Sequence, residues 1–303
     1  MSYDDDGIEE FPIAYSIDNA ILMHRDAHFS GDFKAMLDYY RLQGRGISND
    51  FDIARIEELA KTEQDTGHNL SSIMLSGAEA EKVADAKQAY KDLRDIYEMK
   101  ESKSHIPKLI ADLILAEESE TEAAVNAVVA EKTAAVPALI DLLRSEEFYD
   151  PLFPGYGLAP TLAAECLGKI GDKRAIISLF EAIGAGDFFS ESTILSALKA
   201  IGEPAKEFLL RVLHARPLTS DNDQAAVALV AFKDDPAVGV ACLKMLEEID
   251  LNTHLPLATY LILACESLTG EKERSELLAL ADNPKTPKSL KQDILTVSKN
   301  WHL

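Results

Sequence analysis

The sequence predicts an all-α protein whose larger part is an array of helical hairpins, the α-solenoid architecture. Apolar residues recur at helical spacing along almost the whole chain, and strand or hairpin-turn signals are scarce. A pattern also returns every 31 residues, in GKIGDKRAIISLF (168–180), KAIGEPAKEFLLR (199–211) and VAFKDDPAVGVAC (230–242). A two-helix unit of this length cannot bury its apolar stripe alone, so neighbouring units must stack.

Three phases of the repeat recur in register. They are Leu167, Leu198 and Leu229; Ile170, Ile201 and Phe232; and Asp172, Glu203 and Asp234. We expect the apolar phases to lie in the core and the acidic phase to cap the following helix. The pattern extends with slips to residues 104 and 299, which predicts about six hairpins in a domain spanning 104–303.

The first hundred residues are helical in pattern but do not match the repeat. Phe33, Met36 and Tyr40 share one predicted helix face, and a longer stripe runs from Val83 to Tyr97. We therefore expect a separate helical N-terminal domain or cap over 1–103.

Two copies resemble a known family of repeats. CLGKIGDKRAIISLFEAI (166–183) and ALKAIGEPAKEFLLRVL (197–213) resemble HEAT-like repeats of the armadillo type, although the third copy has Lys233 where the others have glycine. The resemblance covers roughly 104–299. It implies a right-handed α-solenoid with one helix of each hairpin on the convex face and the other on the concave face.

Charge and cysteine usage narrow the function classes. The chain has 303 residues and a net charge of −22, which repels nucleic acid and anionic membrane surfaces. Its three cysteines lie in apolar helical patterns without CxxC spacing, so we expect neither disulfides nor cysteine zinc sites. The acidic N-terminus has no signal-peptide pattern, and we expect a cytoplasmic protein.

The longest break in the periodic region is EEFYDPLFPGYGLAP (146–160), which carries Phe148, Tyr149, Phe153 and Tyr156. Long loops rich in aromatic residues often contact a partner, so one hypothesis is a partner-binding loop at an edge of the array. The alternative is that the aromatic side chains fold back onto neighbouring repeats. Phe188 and Phe189, one repeat later, are predicted to lie on the same edge.

Aligned positions mark the predicted starts of four helices that would line the concave face. They are Thr161, Ser192, Asp223 and His254. Their side chains could contact a partner or act as ordinary helix caps. The helices themselves carry few charges, which favours a groove for a helix or peptide.

No catalytic pattern is evident. His24 and His28, in HRDAH (24–28), have the spacing of a zinc-protease motif but lack its glutamate, so we expect two solvent-exposed histidines, no metal and no cofactor. The favoured function is a non-catalytic scaffold or adaptor that binds a protein or peptide with a basic segment. Two alternatives stay open, namely a lyase or chaperone acting on a small chromophore or cofactor, and an exported host-interaction effector.

Overall fold

The computed structural model describes residues 17–98, 105–185 and 188–302, except for the side chains of Phe188, Phe189 and His302. Within these ranges the chain is all-α, with seventeen α-helices and no strand. None of these helices is both long and apolar enough to span a bilayer. The chain divides into two compact units, and unit 1 comprises residues 1–101, 117–119 and 150–157.

Unit 1 contains five helices: α1 (Ile17–His28), α2 (Phe33–Arg41), α3 (Ile53–Thr66), α4 (Ser71–Met74) and α5 (Gly77–Glu98). Aspartate side chains cap the N-termini of two of these helices. Asp32 accepts from the backbone N–H of Lys34 in α2, and Asp52 accepts from that of Ala54 in α3. The helix α1 packs against α4 and α5, and α2 packs against α3.

Two apolar clusters form the core of unit 1. The first joins α1, α2 and α3, and includes the fully buried Ile21, Met36 and Ile56. The second packs Met23 of α1 and Val83 of α5 with Phe153, which comes from the 150–157 segment. The segment between two later helices of the chain therefore contributes to the core of the N-terminal unit.

Arg25 is a buried cation at the centre of unit 1. Its side chain is 0% exposed and makes ion pairs with Asp26 at 2.7 Å and Glu63 at 2.8 Å. It also donates to the Ser71 hydroxyl, and its guanidinium lies 4.3 Å from the centroid of the Phe33 ring. A buried charge is tolerated only when it is paired and hydrogen-bonded in this way.

Unit 2 comprises residues 102–116, 120–149 and 158–303. The helices of the second half of the chain are α6 (Ile106–Leu115), α7 (Glu118–Ala130), α8 (Val136–Arg144), α9 (Ala159–Ile170), α10 (Ile176–Glu181), α11 (Phe188–Ile201), α12 (Glu203–Leu213), α13 (Ser220–Val230), α14 (Pro236–Glu248), α15 (Leu255–Ala264), α16 (Glu271–Asp282) and α17 (Lys288–Lys299).

Helices of unit 2 pack mainly against near neighbours in the sequence. Successive helices pair, as α8 with α9, α12 with α13, α14 with α15 and α16 with α17. Helices two apart also pack, as α9 with α11, α13 with α15 and α15 with α17. This arrangement is compatible with a helical repeat.

The apolar repeat positions are buried except for Ile170, which is half-buried. Leu167, Leu198 and Leu229 are all fully buried. Gly171 ends α9 in the left-handed conformation, at φ 71°, and Asp172 accepts from the backbone N–H of Arg174. The prediction that Glu203 caps the following helix is wrong, because Glu203 is the first residue of α12 and that helix has no side-chain cap bond.

The prediction for Asp234 is wrong, because the cap of α14 is the next residue, Asp235, which accepts from the N–H of Ala237. Asp234 instead pairs with Lys199 at 2.8 Å. The third copy lacks the glycine that ends the preceding helix, and its turn reaches the cap one residue later.

We expect Arg25→Ala to destabilise unit 1 by about 3–5 kcal/mol, because the carboxylates of Asp26 and Glu63 lose a buried partner. The control is Arg41→Ala, since Arg41 is 53% exposed and pairs with Glu57 at the surface; we expect that substitution to cost at most about 1 kcal/mol. Urea unfolding measures the change in the free energy of unfolding for each variant, and hydrogen exchange in α1 and α3 measures the local loss of stability. Equal, small changes in the free energy of unfolding for the two variants would contradict the assignment of Arg25 as a buried and paired cation.

Candidate functional site

The aromatic segment that interrupts the periodic region is largely buried. Phe153 lies in the core of unit 1, and Tyr156 is half-buried there. Phe148 and Tyr149 belong to unit 2, where both are half-buried and the Tyr149 hydroxyl donates to the Leu143 carbonyl at 2.9 Å. None of these four side chains is exposed. Phe153 and Tyr156 lie in unit 1, whereas Phe148 and Tyr149 lie in unit 2.

An unusual backbone places the Tyr156 ring. Gly155, Tyr156 and Gly157 all have left-handed backbone angles, with φ values of 84°, 56° and 79°. Glycine adopts this region readily, whereas a tyrosine there costs about 1 kcal/mol or more. The ring packs against the backbone of Gly46, so closely that a Cβ at that position would overlap it.

Two histidines of α1 lie beside this ring. The expectation of solvent-exposed histidines is wrong, because His24 is only 5% exposed and His28 is mostly buried. Their ring centroids are 4.4 Å apart, and both lie near the Tyr156 ring. We call His24, His28, Tyr39, Tyr90 and Tyr156 the His–Tyr cluster.

Hydrogen-bond directions are defined at the two ends of the His–Tyr cluster. The carbonyl of Pro151 can only accept, so His28 Nε2 carries the proton and donates at 3.0 Å. In the neutral ring His28 Nδ1 must then accept, and the Tyr90 hydroxyl donates to it at 2.7 Å. The Tyr90 and Tyr39 hydroxyls give their protons to His28 and to Glu117, so the single proton of the Tyr156 hydroxyl can reach Tyr90 or Tyr39 but not both.

The other end of this chain of hydroxyl groups is a carboxylate. Tyr39 donates to Glu117 at 3.0 Å and accepts from the backbone N–H of Gly46 at the same distance. The backbone N–H of Arg45 also reaches Glu117, at 3.3 Å. The cluster thus connects the loop after α2, the start of α7, α5 and the 150–157 segment within unit 1.

Burial keeps every ring of the cluster uncharged at neutral pH. Burial lowers the pKa of His24 to about 3, and the neighbouring His28 ring lowers it further. Burial lowers the pKa of His28 to about 4, against the opposing effects of the Pro151 carbonyl and the Asp150 charge. Burial raises the pKa values of Tyr39, Tyr90 and Tyr156 above the ordinary range.

The cluster therefore acts chemically as a neutral hydrogen-bonding core. Its one exception is His24 Nε2, a buried atom with no partner among the described residues. No group of three or more candidate metal ligands occurs in the part of the chain that the structure describes. Sequence reasoning missed this core, and the only signal for it was the glycine pair around Tyr156.

The four predicted first-turn residues differ in their environments. The helices begin at Ala159, Phe188, Ser220 and Leu255, not at the predicted residues. The first three begin two to four residues earlier than predicted, and the fourth begins one residue later. Thr161 shares a 2.7 Å hydrogen bond with Ser190, whereas Ser192 is exposed.

Asp223 and His254 are half-buried, and His254 precedes α15 without a side-chain cap bond. The side chains of Phe188 and Phe189 lie outside the described residues, so their predicted place on the edge is not observed.

Two surface cavities lie in unit 2. One, of about 390 Å³, lies between α6 and α7, and its lining includes Leu109, Asp112, Leu115, Glu120, Ala123 and Ala127. We call it the α6–α7 groove. The other, of about 300 Å³, lies between α8 and α10 beside Tyr149 and the Arg144–Glu181 ion pair.

Comparison with known proteins adds no family. The chain matches no family model, and no curated protein is similar to it. Its likeness to HEAT-like repeats consequently rests on the repeat in the sequence and on the helix packing.

We expect unit 1 to lose stability as the pH falls from about 6.5 toward 4. Both histidines have folded-state pKa values below the ordinary 6.5, so the unfolded chain binds protons at a higher pH than the folded chain does. The stability that is fully present above pH 6.5 is therefore lost as the pH falls toward the folded-state pKa values. At pH 5 each histidine costs about 2 kcal/mol relative to pH 7.

Chemical unfolding between pH 7 and pH 5 measures this dependence, and His24→Phe provides the comparison because it keeps a ring but removes one titrating group. The variant should show a shallower pH dependence. Parallel curves for the two proteins would show that His24 does not carry the effect.

Proposed function

We propose that the chain is a non-catalytic protein-binding scaffold and that unit 2 is a HEAT-like α-solenoid. Contacts with the spacing of the repeat support the solenoid. Several ion pairs in unit 2 join residues 29 to 37 positions apart, among them Lys206–Asp235, Lys233–Glu266 and Arg144–Glu181. Stacked repeats of thirty-odd residues produce this spacing, because each unit touches mainly its neighbours.

The observation that favours the scaffold function is the low charge of the accessible surface on the odd-numbered helices α11, α13 and α15. Lys199 and Asp223 are the charged residues at helical spacing to the uncharged positions on α11 and α13. Ser192 and Ser196 of α11 are exposed, Val227 of α13 is half-exposed, and so are Thr259 and Leu263 of α15. The chain has a net charge of −22, yet the side chains at these positions are uncharged. Uncharged side chains are typical of the centre of a protein interface, where a partner excludes water.

The groups with acid–base chemistry do not favour catalysis. The titratable rings of the His–Tyr cluster are hydrogen-bonded to one another and to backbone groups and Glu117, and are held neutral by burial. The three cysteines are buried, which raises the pKa of each thiol and keeps it unreactive. A scaffold function needs none of these groups to be accessible.

The test is quantitative affinity purification with mass spectrometry from cells that make the protein. In the variant Ser192→Arg/Ser196→Arg, two bulky charges lie on the proposed face, and we expect capture of the main partner to fall about tenfold or more. The matched control is Ile177→Arg/Val240→Arg, which makes the same charge change at exposed positions of α10 and α14.

Capture should be retained by the control. Equal capture by both variants, with circular dichroism showing both folded, would contradict binding through this face.

A further inference from the structure

The helices α6 and α7 leave apolar side chains accessible in the groove between them, outside the core of unit 2. The core side of α7 is formed by Val125 and Val128, which are buried, while Ala123 and Ala127 are exposed. On α6, Leu113 and Ile114 are buried. The accessible side of α7 also carries Glu120 and Glu122, so these alanine side chains lie beside acidic residues.

The α6–α7 groove has the shape of a seat for a helix. Along α6 it is lined by Leu109 and by Leu115, which is 39% exposed. Along α7 it is lined by Ala123 and Ala127, one turn apart. Alanine side chains let a third helix approach to an interaxial distance of about 8 Å, and the walls are long enough for about two to three turns.

The charges at the groove select the sign of the partner. Asp112 and Glu120 are the titratable residues among those that line it, and both are carboxylates. The chain as a whole carries a net charge of −22. A partner with lysine or arginine beside its apolar stripe would be steered toward the groove and would meet opposite charge at its rim.

We propose that the α6–α7 groove binds a basic amphipathic helix of a partner protein. Apolar side chains of that helix, about the size of leucine, face into the groove, and its basic side chains face Glu120 at the rim. This inference deepens the proposed scaffold function and rests on it for its biological context. The groove is a different surface from the face on α11, α13 and α15, so either surface can fail its test independently of the other.

Fluorescence anisotropy with the full chain tests the proposal. The probe is a labelled synthetic peptide of about 14 residues, with leucine on one helical face and lysine on the other. A scrambled peptide of identical composition and charge controls for attraction to an acidic protein. We expect the amphipathic peptide to bind at least about tenfold more tightly than the scrambled one.

Substitutions that leave the charge unchanged locate the site. Ala123→Gln/Ala127→Gln fills the groove at exposed positions, and should weaken binding of the amphipathic peptide about tenfold or more. The control, Ser192→Gln/Ser196→Gln, places the same side chains on α11 and should leave binding unchanged.

Leu115→Gln, at another exposed position of the groove, is a second variant and should also weaken binding. It replaces the first variant in the test if that one loses its helical circular dichroism. The proposal is overturned if the scrambled peptide binds equally well, or if the folded groove variants bind like the unchanged protein. Loss of partner capture by the α11 variant, with peptide binding intact, would leave the groove standing.

Discussion

The packing of the Tyr156 ring on the backbone of Gly46 is the contact on which the arrangement of unit 1 depends. It requires a residue without a Cβ at one side and a left-handed tyrosine between two glycines at the other. The backbone cost at Tyr156, about 1 kcal/mol or more, is offset by burial of an aromatic ring and by its hydrogen bonds. Segments far apart in the sequence are thereby fixed within one compact unit.

This contact explains why the repeat is interrupted where it is. Residues 150–157 do not belong to the unit that precedes and follows them in sequence, but to unit 1. They bring Phe153 into an apolar cluster, the Pro151 carbonyl to His28, and Asp150 into an ion pair with Lys82. A connection that must supply these groups is necessarily longer than an ordinary turn between helices.

Much of the helical architecture could be predicted from the sequence. The residues Phe33, Met36 and Tyr40 are buried on one face of α2, as their spacing indicates. Gly171 ends α9, as the glycine in the repeat predicts. Such features depend on local periodicity and capping, which a single sequence records directly.

The His–Tyr cluster could not be predicted, because its members come from four separate parts of the chain. His24 and His28 have the spacing of a helix face, but nothing local says that the face is buried. Their neutral state depends on burial by segments that are distant in sequence, and the Tyr156 ring is one of the groups that lie beside them. The pairing of Asp234 with Lys199, in another repeat, is likewise a contact between distant residues that no local pattern records.

Gly46→Ala is the change that tests the central contact most directly, with hydrogen exchange in residues 150–157 as the measurement. The added Cβ would overlap the Tyr156 ring, and overpacking of this kind costs about 1–3 kcal/mol. Gly77→Ala is the control, since a Cβ there meets nothing within 4 Å.

The account predicts faster exchange in 150–157 and in α1 for Gly46→Ala, and unchanged exchange for Gly77→Ala. Protection of 150–157 that is equal in the two variants would contradict the role given to Tyr156.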